Sequence, residues 1–360
     1  MTQYYWLVGI IFFCWATFEN QNKMGVMRGG EPKGEMPAFT WIMIIALVCI
    51  SGLRYWVGSD YGNYIRRFTQ QLALPFSQIW QRTEPLDYLI VKFAGIFTND
   101  YPLIFFLYAF LTVYFSVRPI ARWANEICFG VLLFVLLTLF QVSFNAMRQM
   151  LAGAIVFAGH RYIYDRKLIK YLLVCYVASL VHISALIMIF PYFIATRKIT
   201  KPQLLLILAI AIVGLLSYDR LFGIAEDIRG IEIHNTLFGR RRVKILRVLV
   251  AWAPAVLLYA AKGSHRWENL PNMDDEKMFY FNMLLLTAAL ATAGANSAYL
   301  GRVAFYPMLF STIGIPMVIE VLPKRGRKWY MLITIILFLA YWYVDVSLMN
   351  RYRWIWTRPR

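Results

Sequence analysis

Arg148, in the stretch Ser143-Phe-Asn-Ala-Met-Arg-Gln149, lies between two apolar runs. A guanidinium in that setting is costly unless something pairs with it. A substrate pyrophosphate would, because the planar fork donates two parallel hydrogen bonds to phosphate oxygens. A carboxylate, Glu84 or Asp60, would do so without any chemistry. His182, in Leu180-Val-His-Ile-Ser-Ala-Leu186, is the one charged or imidazole side chain between Tyr171 and Thr196. Imidazole exchanges a proton near neutral pH and suits general-base work, although a histidine in a helical bundle also serves in packing and hydrogen bonding. The other histidines carry less. His160 beside Arg161 reads as structural, His265 falls in a polar loop, and His234 is a distant second candidate.

The stretch from Gly52 to Tyr64 gathers Arg54, Asp60, two further glycines and four aromatic residues. Aromatic rings stack on sugar faces, a carboxylate accepts from hydroxyls, and glycine permits close backbone approach. An aromatic belt with a turn has the same composition. Arg302 opens a later apolar run with Tyr306 one turn below it on the same face. Arg241, within Gly239-Arg-Arg-Arg242, could guide a phosphate or meet lipid headgroups. The chain has no phosphate-binding loop, no serine elbow, no HExxH and no DxD pair. Any energy source must therefore arrive with the substrate, as a lipid pyrophosphate does, and no cofactor, metal or nucleic acid is expected.

The elements that must position these residues are membrane helices. The 360 residues are 60% hydrophobic and 17% aromatic, with mean hydropathy +0.55, too apolar to cover a soluble surface. Charge-free runs at 2–18, 38–53, 101–117, 127–147, 203–218, 278–301, 303–319 and 329–344 approach the ~20 residues that cross hydrocarbon as a helix. None alternates as a barrel strand would. The expectation is one all-α polytopic membrane domain over 1–360, with about eleven transmembrane helices plus re-entrant or interfacial ones. The first run has no basic residues before it and reads as a retained anchor. The cysteines, Cys14, Cys49, Cys128 and Cys175, lie in apolar runs without metal or disulfide spacing.

Basic clusters at Lys23/Arg28/Lys33, Arg161/Arg166/Lys167/Lys170, Arg197/Lys198/Lys201 and Lys324/Arg325/Arg327/Lys328 favour the cytoplasm. External loops then fall at about 54–100 and 219–245, and both termini face outward. Within this frame 171–196 reads as two short helices that dip in and return, with His182 near the outer surface, and 84–99 as an interfacial or re-entrant helix. Much of the net charge of +18 is then external arginine: Arg54, Arg66, Arg67, Arg82, Arg148, Arg220, Arg229, Arg240, Arg241, Arg242 and Arg302. An anionic substrate at the outer face would explain that placement. Anionic headgroups, or cytoplasmic placement of some of these loops, would explain it too.

In order, Arg54-x-x-x-Gly58-x-Asp60-x-x-x-Tyr64, Glu84-Pro-Leu-Asp-Tyr88, Asn145-x-x-Arg148-Gln149-x-x-Ala152, His182-x-Ser184-Ala185-Leu186 and Arg302-x-x-x-Tyr306 resemble the EpsG-like branch of the Wzy-type exopolysaccharide and O-antigen polymerases. The match runs from about 40 to 195, with an echo near 302. Where that family has a glycine and an aromatic, this chain has Pro85-Leu-Asp87. The resemblance implies a fold like the lipid-dependent GT-C glycosyltransferases. It also implies an inner-membrane enzyme, active at the periplasmic or outer face, that moves a growing glycan from undecaprenyl pyrophosphate to the next lipid-linked repeat unit. By motif position, His182 would be the base, with Asp60 as runner-up. Arg148, Arg54 and Arg302 would neutralise the leaving group, and Glu84 would order the arginines or hold a sugar. Tyr64, Gln149, Tyr306 and Arg241 complete the expected binding set. Expected partners are the lipid-linked oligosaccharide, membrane lipids and a chain-length regulator. Rival readings are a glycan ligase using much the same site and a flippase for lipid-linked sugars.

Overall fold

A computed structural model describes residues 2–19, 36–196, 205, 207–213, 245–262, 274–296, 300–322, 324–348 and 351–359. Arg241, His234, His265, most of the 219–245 loop and the clusters at 23–33 and 197–201 lie outside them. The described residues form helices without a sheet. These are α1 (Thr2–Cys14), α2 (Ala38–Gly52), α3 (Tyr61–Ala73), α4 (Pro85–Phe97), α5 (Pro102–Trp123), α6 (Ile127–Leu136), α7 (Met147–Ala158), α8 (Leu168–Ser179), α9 (Ile245–Lys262), α10 (Asp275–Ala293), α11 (Ser311–Val321) and α12 (Lys324–Ser347).

Helix α6 is apolar on every side, and every one of its residues is buried. A helix without a polar face belongs in the centre of a bundle, and α1, α5, α11 and α12 pack around it. Gly130 lets α11 approach, since a Cβ there would come within 2.8 Å of the Thr312 carbonyl oxygen. On one side α2 lies on α5 and α5 on α7; on the other α9 lies on α10 and α10 on α11. Large apolar side chains face outward, among them Trp6, Phe13, Ile45, Leu173 and Ile336, as suits hydrocarbon rather than water.

Among the described residues, Pro102–Trp123 and Gly326–Ser347 are long and apolar enough to cross a membrane. Gly301–Met308 and Ser311–Val321 make a third crossing if their 60° bend lies within one broken span. Shorter apolar helices such as α2, α6, α7 and α8 accompany them. By length alone, the described helices supply fewer spans than the apolar runs suggested, and breaks at Thr138 and Ala304 divide two of those runs.

Two segments between the longer helices matter for the site. The chain after α8 stops being helical at Leu180–His182 and returns through the 3-10 segment Ile183–Ile189. Tyr171 donates its hydroxyl to the Met188 carbonyl at 2.6 Å and stacks on Tyr192, which closes the hairpin and leaves His182 at its tip. The segment between α2 and α5 is also structured. It holds the amphipathic α3, then α4, whose Phe93, Ile96 and Phe97 are exposed while Lys92 Nζ donates to the Leu72 carbonyl at 2.7 Å.

Candidate active site

Glu84 stands immediately before α4, where Pro85 at the first helical position presets the turn. The Leu86 N–H donates to the Leu180 carbonyl at 2.9 Å, tying the start of α4 to the break that carries His182. Glu84 Oε1 then lies 2.7 Å from His182 Nδ1 and accepts from the Ile183 N–H at 3.2 Å. An ionised carboxylate only accepts, so in the neutral imidazole the proton sits on Nδ1 and the lone pair on Nε2. Nε2 makes no hydrogen bond among the described residues, and the side chain is 26% exposed.

The second oxygen of Glu84 pairs with Arg148 and lies 3.6 Å from Arg67. Burial raises the Glu84 carboxyl, but the hydrogen bond from His182 and the charge of Arg148 outweigh it and hold the group at about 2. Glu84 is therefore an anion at any physiological pH. Beneath it, the buried Asp87 accepts from Arg67 Nε at 2.9 Å, from Gln71 Nε2 at 2.9 Å and from the Tyr108 hydroxyl. Asp87 holds Arg67 against the site from behind.

Arg148 begins α7, and the start of that helix is fixed by Tyr64, whose hydroxyl accepts from the Met147 N–H at 2.9 Å and donates to the Asn145 carbonyl at 3.0 Å. Gly58 has φ +102°, and a Cβ there would fall 2.6 Å from Asn145 Oδ1; this turn admits only glycine. Asp60 ends the turn and faces Arg302 at 3.5 Å. Gln149 donates to the Arg302 carbonyl at 2.9 Å, and the Tyr306 and Ser184 hydroxyls lie 2.8 Å apart. Residues from five separate stretches thus meet at one end of the molecule.

Of the sequence candidates, Asp60, Tyr64, Glu84, Arg148, Gln149, His182, Arg302 and Tyr306 are brought into this network. Arg54 is set apart. It is 1% exposed, donates to Ser51 and to the Phe144 carbonyl, and lies 4.9 Å from the Phe105 ring and 4.7 Å from the Phe144 ring. Its guanidinium fastens α2 to the turn before α7 and presents no face to a ligand. Arg148, which the sequence left open between a substrate and a carboxylate partner, is paired with Glu84.

Sequence reasoning gave no role to Gln71, Asp87 or Tyr108, and placed Arg67 only among the external arginines that an anionic substrate would explain. One signal was present: Asp60, Tyr64, Arg67 and Gln71 recur at i, i+4, i+7 and i+11, which is one helical face. Tyr108 gave none, since a tyrosine in an apolar run is ordinary core.

Chemically, the arrangement offers a base with an oriented imidazole, three guanidiniums within one network, and hydroxyl and amide groups able to fix a polar substrate. Searches found no significant match to a curated protein or to a solved structure. The sequence profile of the EpsG family, however, matches residues 38–356 and so takes in every residue of this network. The chain belongs to the EpsG family.

Proposed function

We propose that this chain is a polysaccharide polymerase acting on lipid-linked repeat units. The observation that carries the reading is the Glu84–His182 pair at 2.7 Å, with Arg148 and Arg67 on the other oxygen of Glu84, in a chain of the EpsG family. His182 Nε2 removes the proton from an acceptor sugar hydroxyl. The oxygen attacks the anomeric carbon of the growing glycan, and the bond from that carbon to pyrophosphate breaks. Undecaprenyl pyrophosphate departs with the bonding electrons, and Arg148, Arg67 and Arg302 neutralise the developing charge. Glu84 keeps imidazole in the useful tautomer and stabilises the imidazolium that forms, as a carboxylate does in other base dyads. Asp60, paired with Arg302, serves as a hydroxyl acceptor.

The charge required for the departing pyrophosphate comes from the guanidiniums, so the reaction is read as metal-independent. The network lies at the end that also holds Tyr4 and Tyr352, opposite the Arg161–Glu276 and Asn125–Glu320 pairs. With the basic 324–328 cluster beside Glu320 placed inside, the network faces the periplasm or cell exterior of a bacterial inner membrane. In this reading the short apolar helices complete a multi-pass, GT-C-like bundle, and a chain-length regulator acts alongside.

The test is the glycan ladder of a deletion strain complemented with wild type, Arg148→Ala or His182→Ala at equal membrane level. Collapse to single repeat units in the deletion and both variants supports the polymerase. Full-length polymer retained on the carrier indicates a ligase, and absence of single units from the surface indicates a transporter.

A further inference from the structure

Residues 351–359 are strapped across the ends of α2 and α5. Tyr55 N donates to the Arg353 carbonyl and Ile355 N to the Leu53 carbonyl, each at 2.8 Å, around an antiparallel bridge between Arg54 and Trp354. Tyr352 donates to the Ile50 carbonyl at 2.8 Å, and Arg358 pairs with Asp100 at 2.6 Å while lying 4.7 Å from the Tyr101 ring. The Trp354 ring meets Tyr352 edge-on at 5.0 Å, and the 3-10 turn Ile355–Thr357 brings Trp356 back onto Trp354, so the three rings form a row. It runs outward from the buried Tyr352 to Trp356, which is 65% exposed. The Trp354 and Trp356 rings stack at 4.6 Å and 11°.

On the loop that leads from this strap to Asp60, Trp56 is 51% exposed and has φ +54°. Bulky residues rarely adopt that conformation. It holds the ring beside Gly62, where a Cβ would be 3.6 Å from the indole. Strain kept at an exposed ring points toward a use for the ring. Arg351 and Arg353, on either side of Tyr352, are exposed, and these charges place the strip in water or the headgroup layer, not in hydrocarbon.

We propose that Trp56 and Trp356, backed by Trp354, form a landing on which the glycan chain stacks as it leaves the site. The inference rests on the polymerase reading. Indole rings present broad flat faces that sugar C–H surfaces cover well. A chain held at this rim stays beside the Asp60–Arg302 pair for the next joining, so loss of the rings shortens the product without preventing the first bond.

The experiment compares glycan ladders of wild type, Trp356→Ala, Trp356→Leu, Trp356→Phe and the Trp56→Ala/Trp356→Ala double variant at equal membrane level. Trp329→Ala, which removes an exposed ring at the opposite end, serves as comparison. Mean chain length is expected to fall several-fold in the alanine and leucine variants, with two- and three-unit products persisting. Phenylalanine should restore much of the length, and Trp329→Ala should match wild type. A leucine variant with wild-type ladders would overturn the proposal in favour of lipid contact, as would unchanged lengths in the double variant. A wild type that makes only single units would defeat the polymerase reading and this inference with it, a pattern distinct from variants that merely equal a polymerising wild type.

Discussion

Two histidines in this bundle lie near an arginine–carboxylate pair, and their surroundings differ in every respect that matters for chemistry. His160 is fully buried. Its Nδ1 lies 2.8 Å from the Phe157 carbonyl and its Nε2 lies 2.8 Å from the Tyr280 hydroxyl, while Trp123, Phe157 and Phe310 enclose the ring. The nearby Arg161–Glu276 pair joins α10 to the end of α7, with Trp123 4.1 Å from the guanidinium. His182 has one nitrogen on Glu84 and one without a hydrogen bond among the described residues, in a side chain 26% exposed. A histidine whose two nitrogens are both committed holds a structure together; one with a single oriented bond can still move a proton.

The sharpest way to break the comparison is to remove each imidazole. His182→Ala should lower polymerisation per membrane-resident enzyme by roughly 10²–10⁴-fold, the usual range for a general base. His160→Ala should leave the rate nearly intact and reduce thermal stability by about 2 kcal/mol, since buried partners lose their hydrogen bonds. Quantified ladders and melting in detergent separate the two effects. If both variants lose rate equally at full protein level, the contrast between the histidines is wrong.

The arginines extend the comparison. Arg148→Ala should cost about 10²–10³-fold in rate, as loss of a group that stabilises developing charge does, and Arg148→Lys should recover only part of it because the fork is lost. Arg161→Ala should act on membrane abundance and leave the rate per molecule alone.

Acid sharpens the electrostatic part. The Glu84 carboxyl is lowered from 4.5 to about 2 in the folded protein. Its stabilising contribution is therefore complete above pH 4.5 and is lost as pH falls toward 2, a change of about 3 kcal/mol at most. Melting temperature should drop across that window, and Glu84→Gln should flatten the drop. Any change in activity between pH 5 and 8 must belong to a group other than Glu84.

The smallest effect is expected at Asp87. Asp87→Asn weakens the hold on Arg67 and should raise KM for lipid-linked substrate by about tenfold, with kcat changed far less. Equal losses in both constants would mean that Asp87 acts on the reaction itself.

Much of the site was legible because membrane burial makes polar residues conspicuous. Arg148, His182 and Arg302 interrupt apolar runs, and Glu84 and Asp60 stand in the segment between spans. Their assembly was less legible. Glu84 and His182 are 98 residues apart, and the Leu86–Leu180 hydrogen bond that joins their segments is made by backbone groups that every sequence possesses. Arg54 shows the opposite limit. An arginine at the end of an apolar run reads as a ligand for phosphate, yet carbonyls and rings from Ser51, Phe105 and Phe144 surround it, a cage that only packing reveals. The hairpin over 171–196 followed from its charge pattern, whereas the division of longer apolar runs at Thr138 and Ala304 had no comparable signal.

The most direct test of the central claim is a single-turnover assay of purified wild type, His182→Ala and Glu84→Gln on lipid-linked repeat units, following the first glycosidic bond. The account predicts that His182→Ala still binds the substrate but forms that bond at least a hundredfold more slowly, with Glu84→Gln slowed by a similar order because imidazole loses its orienting carboxylate. Bond formation at the wild-type rate by folded His182→Ala would contradict it.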